Sequence, residues 1–367
     1  MGKESSNGSG TLKKSVRNHS KKFGTFAGVL MPSLLTILGA VMYFIVPQVL
    51  GGVGFTKTIL IILIAHSVTI ATAFSISAIA TNIKVKGGGL YYLISRSLGS
   101  EFGGSLGIQL YLAQTIASSF YAIAFARGMT TILNYFGIAF PEAQIALVSI
   151  LVFGVMVFIG AKFVIKIQYF ILGAIILSLI SIFLGPQTGG IETMFFTSGA
   201  IPFWIAFAMF FPAVTGIDAG VGMSGDLKDP KKSLVRGTFL AIFITLGVYL
   251  ALVIKLALSA SPENLLTNPQ VIQQVAIISP LVLLGIIMAT SSSALSSLMT
   301  APRCLVAMTE DKVLPKFFNF LGKKSGKNNE PRVALILSLI IGVAVILSGS
   351  LEYVSQVVSL FFLSVYG

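Results

Sequence analysis

The chain has 367 residues, of which 55% are hydrophobic and 10% charged, with a mean hydropathy of +0.93 and a net charge of +13 at pH 7. So few polar side chains cannot cover a soluble globule of this length, and the composition is that of a polytopic membrane protein. A lone cysteine, Cys304, excludes an internal disulfide or cysteine metal cluster, and two widely separated histidines argue against zinc.

Residues 1–22 are polar, basic and rich in Ser and Gly; they read as a disordered tail, with no cleavable signal peptide visible. Charge-free runs then predict about ten spans, at roughly 25–48, 57–80, 103–134, 142–161, 164–185, 201–226, 236–259, 275–308, 332–348 and 352–367. The basic residues alternate with these spans: Lys3 to Lys22, Lys84 to Arg96, Lys162 and Lys166, Lys228 to Arg236, and Arg303 to Arg332 all fall on one side. This positive-inside pattern puts the N terminus in the cytoplasm and 134–142, 185–200 and 259–275 outside. It explains the charge as topology, with no nucleic acid as partner.

Span 1 is interrupted by Pro32-Ser33-Leu34-Leu35-Thr36-Ile37-Leu38-Gly39. His66 in span 2 reads as a packed polar residue. Between spans 2 and 3, Gly87 to Gly99 is too short and too polar to cross and is expected to form an interfacial cytoplasmic helix. Its Gly87 to Gly89 run lacks the GxxxxGK[ST] context of a nucleotide loop. Arg127 and Lys255, near the outer ends of spans 3 and 7, are expected to snorkel to the interface. Span 6 is broken by Phe210-Phe211-Pro212-Ala213-Val214-Thr215-Gly216-Ile217-Asp218-Ala219-Gly220. Unwound backbone at membrane depth is tolerated only when buried in protein or lining a polar cavity, and a carboxylate there marks a functional site. In span 8, Ala289, Ser292 and Ser293 share a helix face at i, i+3 and i+4. Two hydroxyls with free carbonyls suit a hard cation, although such serines also simply pack or bond back to their own turn. Pro302-Arg303, Glu310-Asp311-Lys312 and the connector from Gly322 to Arg332 read as solvated loop ends. The chain stops at Gly367 inside an apolar segment, so a continuation is expected.

Five spans, a basic loop, then five more, each set opening on a broken helix, predict two inverted repeats at 23–185 and 201–367. That is an all-α, LeuT-like 5+5 architecture.

Several blocks resemble the cation-chloride cotransporter family of the amino acid-polyamine-organocation superfamily, of the sodium-potassium-chloride type. They are Ser77 to Asn82, Gly87 to Gly99, Glu101 to Gly104, Phe210 to Gly216 with Ser224 to Leu227, Ser292 to Pro302, and Gly326 to Pro331. The resemblance implies a sodium site at the carbonyls of Leu35 and Leu38 with Ala289, Ser292 and Ser293. It implies a potassium site at Tyr121, Pro212 and Thr215 with the carbonyls of Thr36, which replaces an Asn, and Ile37. Chloride would sit at half-helix N termini, first at Gly39, Ala40 and Val41, then at Gly216, Ile217 and Asp218 with the Tyr366 hydroxyl. Asp218 departs from the family, whose members carry an apolar residue there. It stands as a built-in anion, as a site for a proton or substrate amine, or as a helix cap. The outer-gate charge pair of animal members is also missing, its positions being Ile45 and Arg127.

The expected function is ion-gradient-driven cotransport of sodium, potassium and chloride by alternating access in the cell membrane. The alternative is an amino acid or amine permease with Asp218 at the substrate site. The chain is not expected to be an enzyme or to hold a cofactor, since neither a nucleophile-base pair nor a nucleotide motif is present. Expected partners are the transported ions or small molecule, the lipid bilayer and, by resemblance to the animal members, a second copy in a homodimer.

Overall fold

The computed structural model describes residues 22–83, 88–159, 161–188, 195–325 and 330–367, with the backbone alone at 161–163, 165 and 226. The expected tail (but for its last residue), Gly87 and residues 326–329 lie outside the described residues. Among the described residues, eight helices are long and apolar enough to cross a membrane. In chain order with two shorter ones they are α1 Phe26–Val53, α2 Phe55–Asn82, α3 Ser100–Tyr135, α4 Glu142–Ile159, α5 Ala161–Leu184, α6 Phe203–Gly222, α7 Pro230–Ala257, α8 Ser279–Glu310, α9 Arg332–Ser348 and α10 Leu351–Tyr366.

Helix ends follow capping chemistry more closely than hydropathy. Charge counting starts span 7 at about residue 236, yet α7 begins six residues earlier, because Asp229 accepts the Lys232 N–H at 3.3 Å and Pro230 fits the first helical position. Ser350 caps α10 in the same way through the Tyr353 N–H.

The most hydrophobic stretch of α1 is entirely buried and that of α6 is 83% buried, whereas those of α2, α4, α5 and α7 are 33 to 44% buried. The two broken helices therefore form the centre and the others present apolar faces to lipid. α3 packs on α4, α8, α9 and α10; α8 also packs on α5, and α2 on α7. The inner part of α1 lies against the second half of α6, and the first half of α6 lies against α10.

Candidate functional site at the two helix breaks

α1 leaves helical geometry at Leu38, with φ −80° and ψ 42°, and resumes at Ala40. α6 tightens into a 3₁₀ turn at Phe211–Val214, passes through Thr215 and Gly216, and resumes at Ile217. The breaks touch at Gly216, where a Cβ would stand 2.8 Å from the Ile37 amide nitrogen and 2.8 Å from Thr36 Cβ. Only a residue without a side chain lets these two backbones approach so closely.

Pro212 has no N–H to offer the Ala208 carbonyl four residues back. Ser359 of α10 donates its hydroxyl to that carbonyl, and Ser355 donates to Met209 O at 2.8 Å. Farther along, Thr69 of α2 donates to Val214 O at 3.2 Å, Thr215 Oγ1 to Pro212 O at 3.0 Å, and the Tyr366 hydroxyl to Thr215 O. The freed carbonyls of α6 are thus answered from neighbouring helices, as a buried break requires.

The expected sodium residues come together in part. Ser293 Oγ donates to Leu35 O at 3.3 Å across the α1–α8 contact. Ser292 Oγ is fully buried and without a partner. Ala289 is fully buried on the same face, and Leu38 sits at the turn itself. Gly39 keeps this gap open, since a Cβ there would lie 2.7 Å from Ser293 Oγ and 2.8 Å from Thr36 O. Ala40 and Val41 follow, both buried, at the start of the outer half of α1.

The potassium residues surround the same junction, with two of their groups already engaged. The Thr36 hydroxyl turns back to Pro32 O at 2.9 Å, leaving only its carbonyl for a cation. Ile37 O accepts from the Tyr249 hydroxyl at 2.6 Å. Tyr249, on α7, carried no motif in the sequence and is fully buried, edge-on to Phe210 and near His66. His66 Nδ1 bonds Ile62 O at 2.9 Å while its Nε2 is buried without a partner. Tyr121 is buried within electrostatic reach of Asp218 and Tyr249.

Asp218 is 3% exposed, in the first turn after the α6 break beside Ile217. Gln114 of α3 donates its side-chain amide to the carboxylate, while the neighbouring Ala219 N–H bonds Gly216 O at 3.3 Å. The carboxylate thus stands in the first turn of the half-helix whose start the resemblance assigns to an exogenous anion. Gln114 was missed by sequence reasoning, yet a signal existed. Gln114, Ser118 and Tyr121 stand at i, i+4 and i+7, a polar stripe on one face of α3.

Charges at the ends differ from the sequence expectation. Arg127 does not snorkel freely: its guanidinium lies 2.9 Å from Glu352 of α10, 3.5 Å from Glu142 of α4, and over the Phe44 ring. Gln48 of α1 donates to the same Glu352 at 3.4 Å. Acids in the first turns of two neighbouring helices capture the arginine. Lys255 is buried and donates to Gly185 O and Pro186 O at 2.6 and 3.2 Å, capping the C-terminal end of α5.

On the basic face, the expected interfacial helix is present at Gly89–Leu98, and Asp311, read from sequence as a loop end, fastens it. Arg96 bonds Asp311 at 2.7 Å, Tyr91 donates to it at 3.1 Å and Ser95 at 3.4 Å. Burial, with the Asp311 carboxylate adding to it, pushes the Tyr91 phenol up to about 12, so it stays a donor at neutral pH. Ahead of the connector that begins at Gly322, Lys316–Gly322 forms a 3₁₀ helix with Leu321 buried.

A sequence model of the amino acid permease family matches residues 28–367. Solute carrier family 12 member 1 of Homo sapiens is 33% identical over 94% of this chain and 37% of its own length. Solute carrier family 12 member 2 of Homo sapiens is 33% identical over 94% of this chain and 33% of its own, and that of Squalus acanthias is 32% identical over 100% and 36%. The chain spans little more than a third of these relatives. Among solved structures, MHP1, a nucleobase-cation-symport-1 family transporter with bromovinylhydantoin bound, superposes with a TM-score of 0.56 over 93% of this chain and 77% of its own, at 16% identity. That likeness establishes a shared fold, the one expected from the paired breaks.

Proposed function

This chain belongs to the amino acid permease family, with a sequence of the cation-chloride cotransporter type in the amino acid-polyamine-organocation superfamily, and from that premise we propose that it is a secondary active transporter coupling sodium, potassium and chloride. Transport proceeds by alternating access around the two breaks. Sodium is held by the carbonyls of Leu35 and Leu38 with Ser292 and Ser293 beside Ala289. Potassium is held by Thr36 and Ile37 carbonyls, Tyr121, Pro212 and Thr215. Chloride occupies the start of the outer half of α1, at Gly39, Ala40 and Val41, while Asp218 supplies the second negative charge from within the chain.

The observation that carries this reading is Ser292 Oγ, a fully buried hydroxyl with no protein partner, one residue from a serine already bonded to a free carbonyl of α1. Buried polar atoms are almost always satisfied, and a bound cation answers this one. The second reading, an amino acid or amine permease, is favoured by Asp218: a buried carboxylate whose only described side-chain partner is a neutral amide is suited to receive an ammonium.

Rubidium uptake into proteoliposomes tests both, with sodium replaced by a large organic cation or chloride by gluconate. The expected result is uptake that needs sodium and rises with first order in chloride. Absence of rubidium flux, with uptake of an amino acid or amine that Asp218→Asn abolishes, would overturn the cotransporter in favour of the permease.

A further inference from the structure

We propose that the cleft between α4, α8 and α9 on the basic face binds the phosphate of an acidic phospholipid from the adjoining leaflet. The cleft is a shallow, open-mouthed depression walled by Phe158 of α4, Leu298 of α8 and Leu335 of α9, with Arg303, Glu330 and Arg332 in its lining. The Arg332 guanidinium stacks 5.4 Å from the Phe158 ring centroid, and its Nε is buried without a partner. Arg303 donates to Met223 Sδ, a weak acceptor, at 3.6 Å.

Among the described residues neither arginine takes part in an ion pair, whereas Arg96 and Arg127 are both paired with acids. Half-withdrawn guanidiniums call for an anion that offers two acceptor oxygens to one planar fork, which the non-bridging oxygens of a phosphodiester provide. Two arginines against one glutamate leave the lining with a net charge of +1, which one phosphodiester balances. Basic pockets between spans on the cytoplasmic side are known places for acidic headgroups.

The flanks of the cleft select lipid over free phosphate. Val155 and Ile159 on α4 are 63% and 58% exposed, and Ile336 and Ile340 on α9 are 49% and 62% exposed. Both pairs are spaced i, i+4, so each helix carries an apolar stripe along which an acyl chain can lie while its headgroup enters the mouth.

The test is thermal unfolding of the full chain in delipidating detergent with added phosphatidylglycerol, phosphatidylcholine or inorganic phosphate. Phosphatidylglycerol should raise the midpoint saturably, well beyond phosphatidylcholine, and phosphate alone should not raise it. Arg303→Gln and Arg332→Gln should each raise the half-saturating phosphatidylglycerol concentration by about tenfold, as loss of one charge-assisted contact predicts. Equal responses to the two lipids, a response to phosphate alone, or an unchanged response in both variants would overturn the assignment. Should the variants not fold, native mass spectrometry of the unaltered chain decides: retained phosphatidylglycerol in competition with phosphatidylcholine supports the site, and no preferential retention rejects it.

Discussion

The two helix breaks solve one physical problem in opposite ways. At the α6 break the chain supplies partners from its own side chains: hydroxyls of Thr69, Ser355, Ser359 and Tyr366 donate to the carbonyls of Val214, Met209, Ala208 and Thr215, and Asp218 supplies a negative charge to which Gln114 donates. At the α1 break two buried hydroxyls, those of Ser33 and Ser292, are without a hydrogen-bond partner among the described residues, and Gly39 leaves a gap toward α8. A buried polar group with no partner inside the protein is the one best placed to meet a solute directly, whereas a satisfied one must first exchange its partner. On the proposed reading, the difference places the cation contacts at the α1 break and the negative charge that the chain supplies itself, Asp218, at the α6 break.

The largest effect expected is from separating the two breaks. Gly216→Ala places a methyl 2.8 Å from the Ile37 amide nitrogen, a backbone atom that cannot move aside cheaply. Overpacking of this kind costs about 1–3 kcal/mol, and the shifted breaks should abolish uptake altogether. Thermal unfolding and rubidium flux on the same preparation check it; a variant transporting at the normal rate would show that the close approach is not needed. Next comes Asp218→Asn, which removes the internal charge while keeping the shape. Uptake at low chloride should fall about tenfold, the equivalent of about 1.4 kcal/mol, and recover at high chloride with a steeper chloride dependence. An unchanged chloride curve would reduce Asp218 to a helix cap.

How much of this was legible in the sequence differs between the two breaks. Both were visible, because Pro and Gly in a charge-free run are local signals that no packing detail erases. Ser292 and Ser293 were legible because i, i+3, i+4 spacing fixes a shared face. Tyr249 was not, because one tyrosine in an apolar span has no local mark, and its bond to Ile37 O depends on how α7 packs against α1. Gln114 lay between: its stripe with Tyr121 was readable, but its pairing with Asp218, 104 residues away, was not. The ion pairs of Arg127 and Asp311 were hidden for the same reason, since each joins helices far apart in the chain.

A paired substitution sharpens the contrast between a satisfied and an unsatisfied break. Ser355→Ala strips Met209 O of its donor and should destabilise the fold by about 1–3 kcal/mol, the cost of orphaning a buried polar group. Ser292→Ala orphans nothing, because its hydroxyl has no protein partner, so stability should hold or rise slightly. Its cost should appear instead in sodium, with the half-saturating concentration rising about fivefold for the loss of roughly 1 kcal/mol of coordination. Equal destabilisation by the two changes, with sodium dependence intact, would mean that Ser292 is only packing.

The smallest effect is expected at the outer rim, where Arg127 ties Glu352 and Glu142 together above the breaks. The arginine side chain is 20% exposed and the two acids 30% and 38%, so the pairs are partly screened and worth about 0.2–1 kcal/mol. Arg127→Gln should therefore leave the melting temperature nearly unchanged. Yet α3, α4 and α10 must part here if the site opens on this side, and a contact made only in the closed state biases that equilibrium by its full value. A bias of that size is a two- to fivefold shift, roughly what 0.4–1 kcal/mol gives. It is readable as faster labelling of a cysteine placed at Gln48 after Cys304 is changed to Ser. Salt should produce part of the same acceleration in the unaltered arginine protein and none in the variant, because only the former has an attraction across the rim to screen.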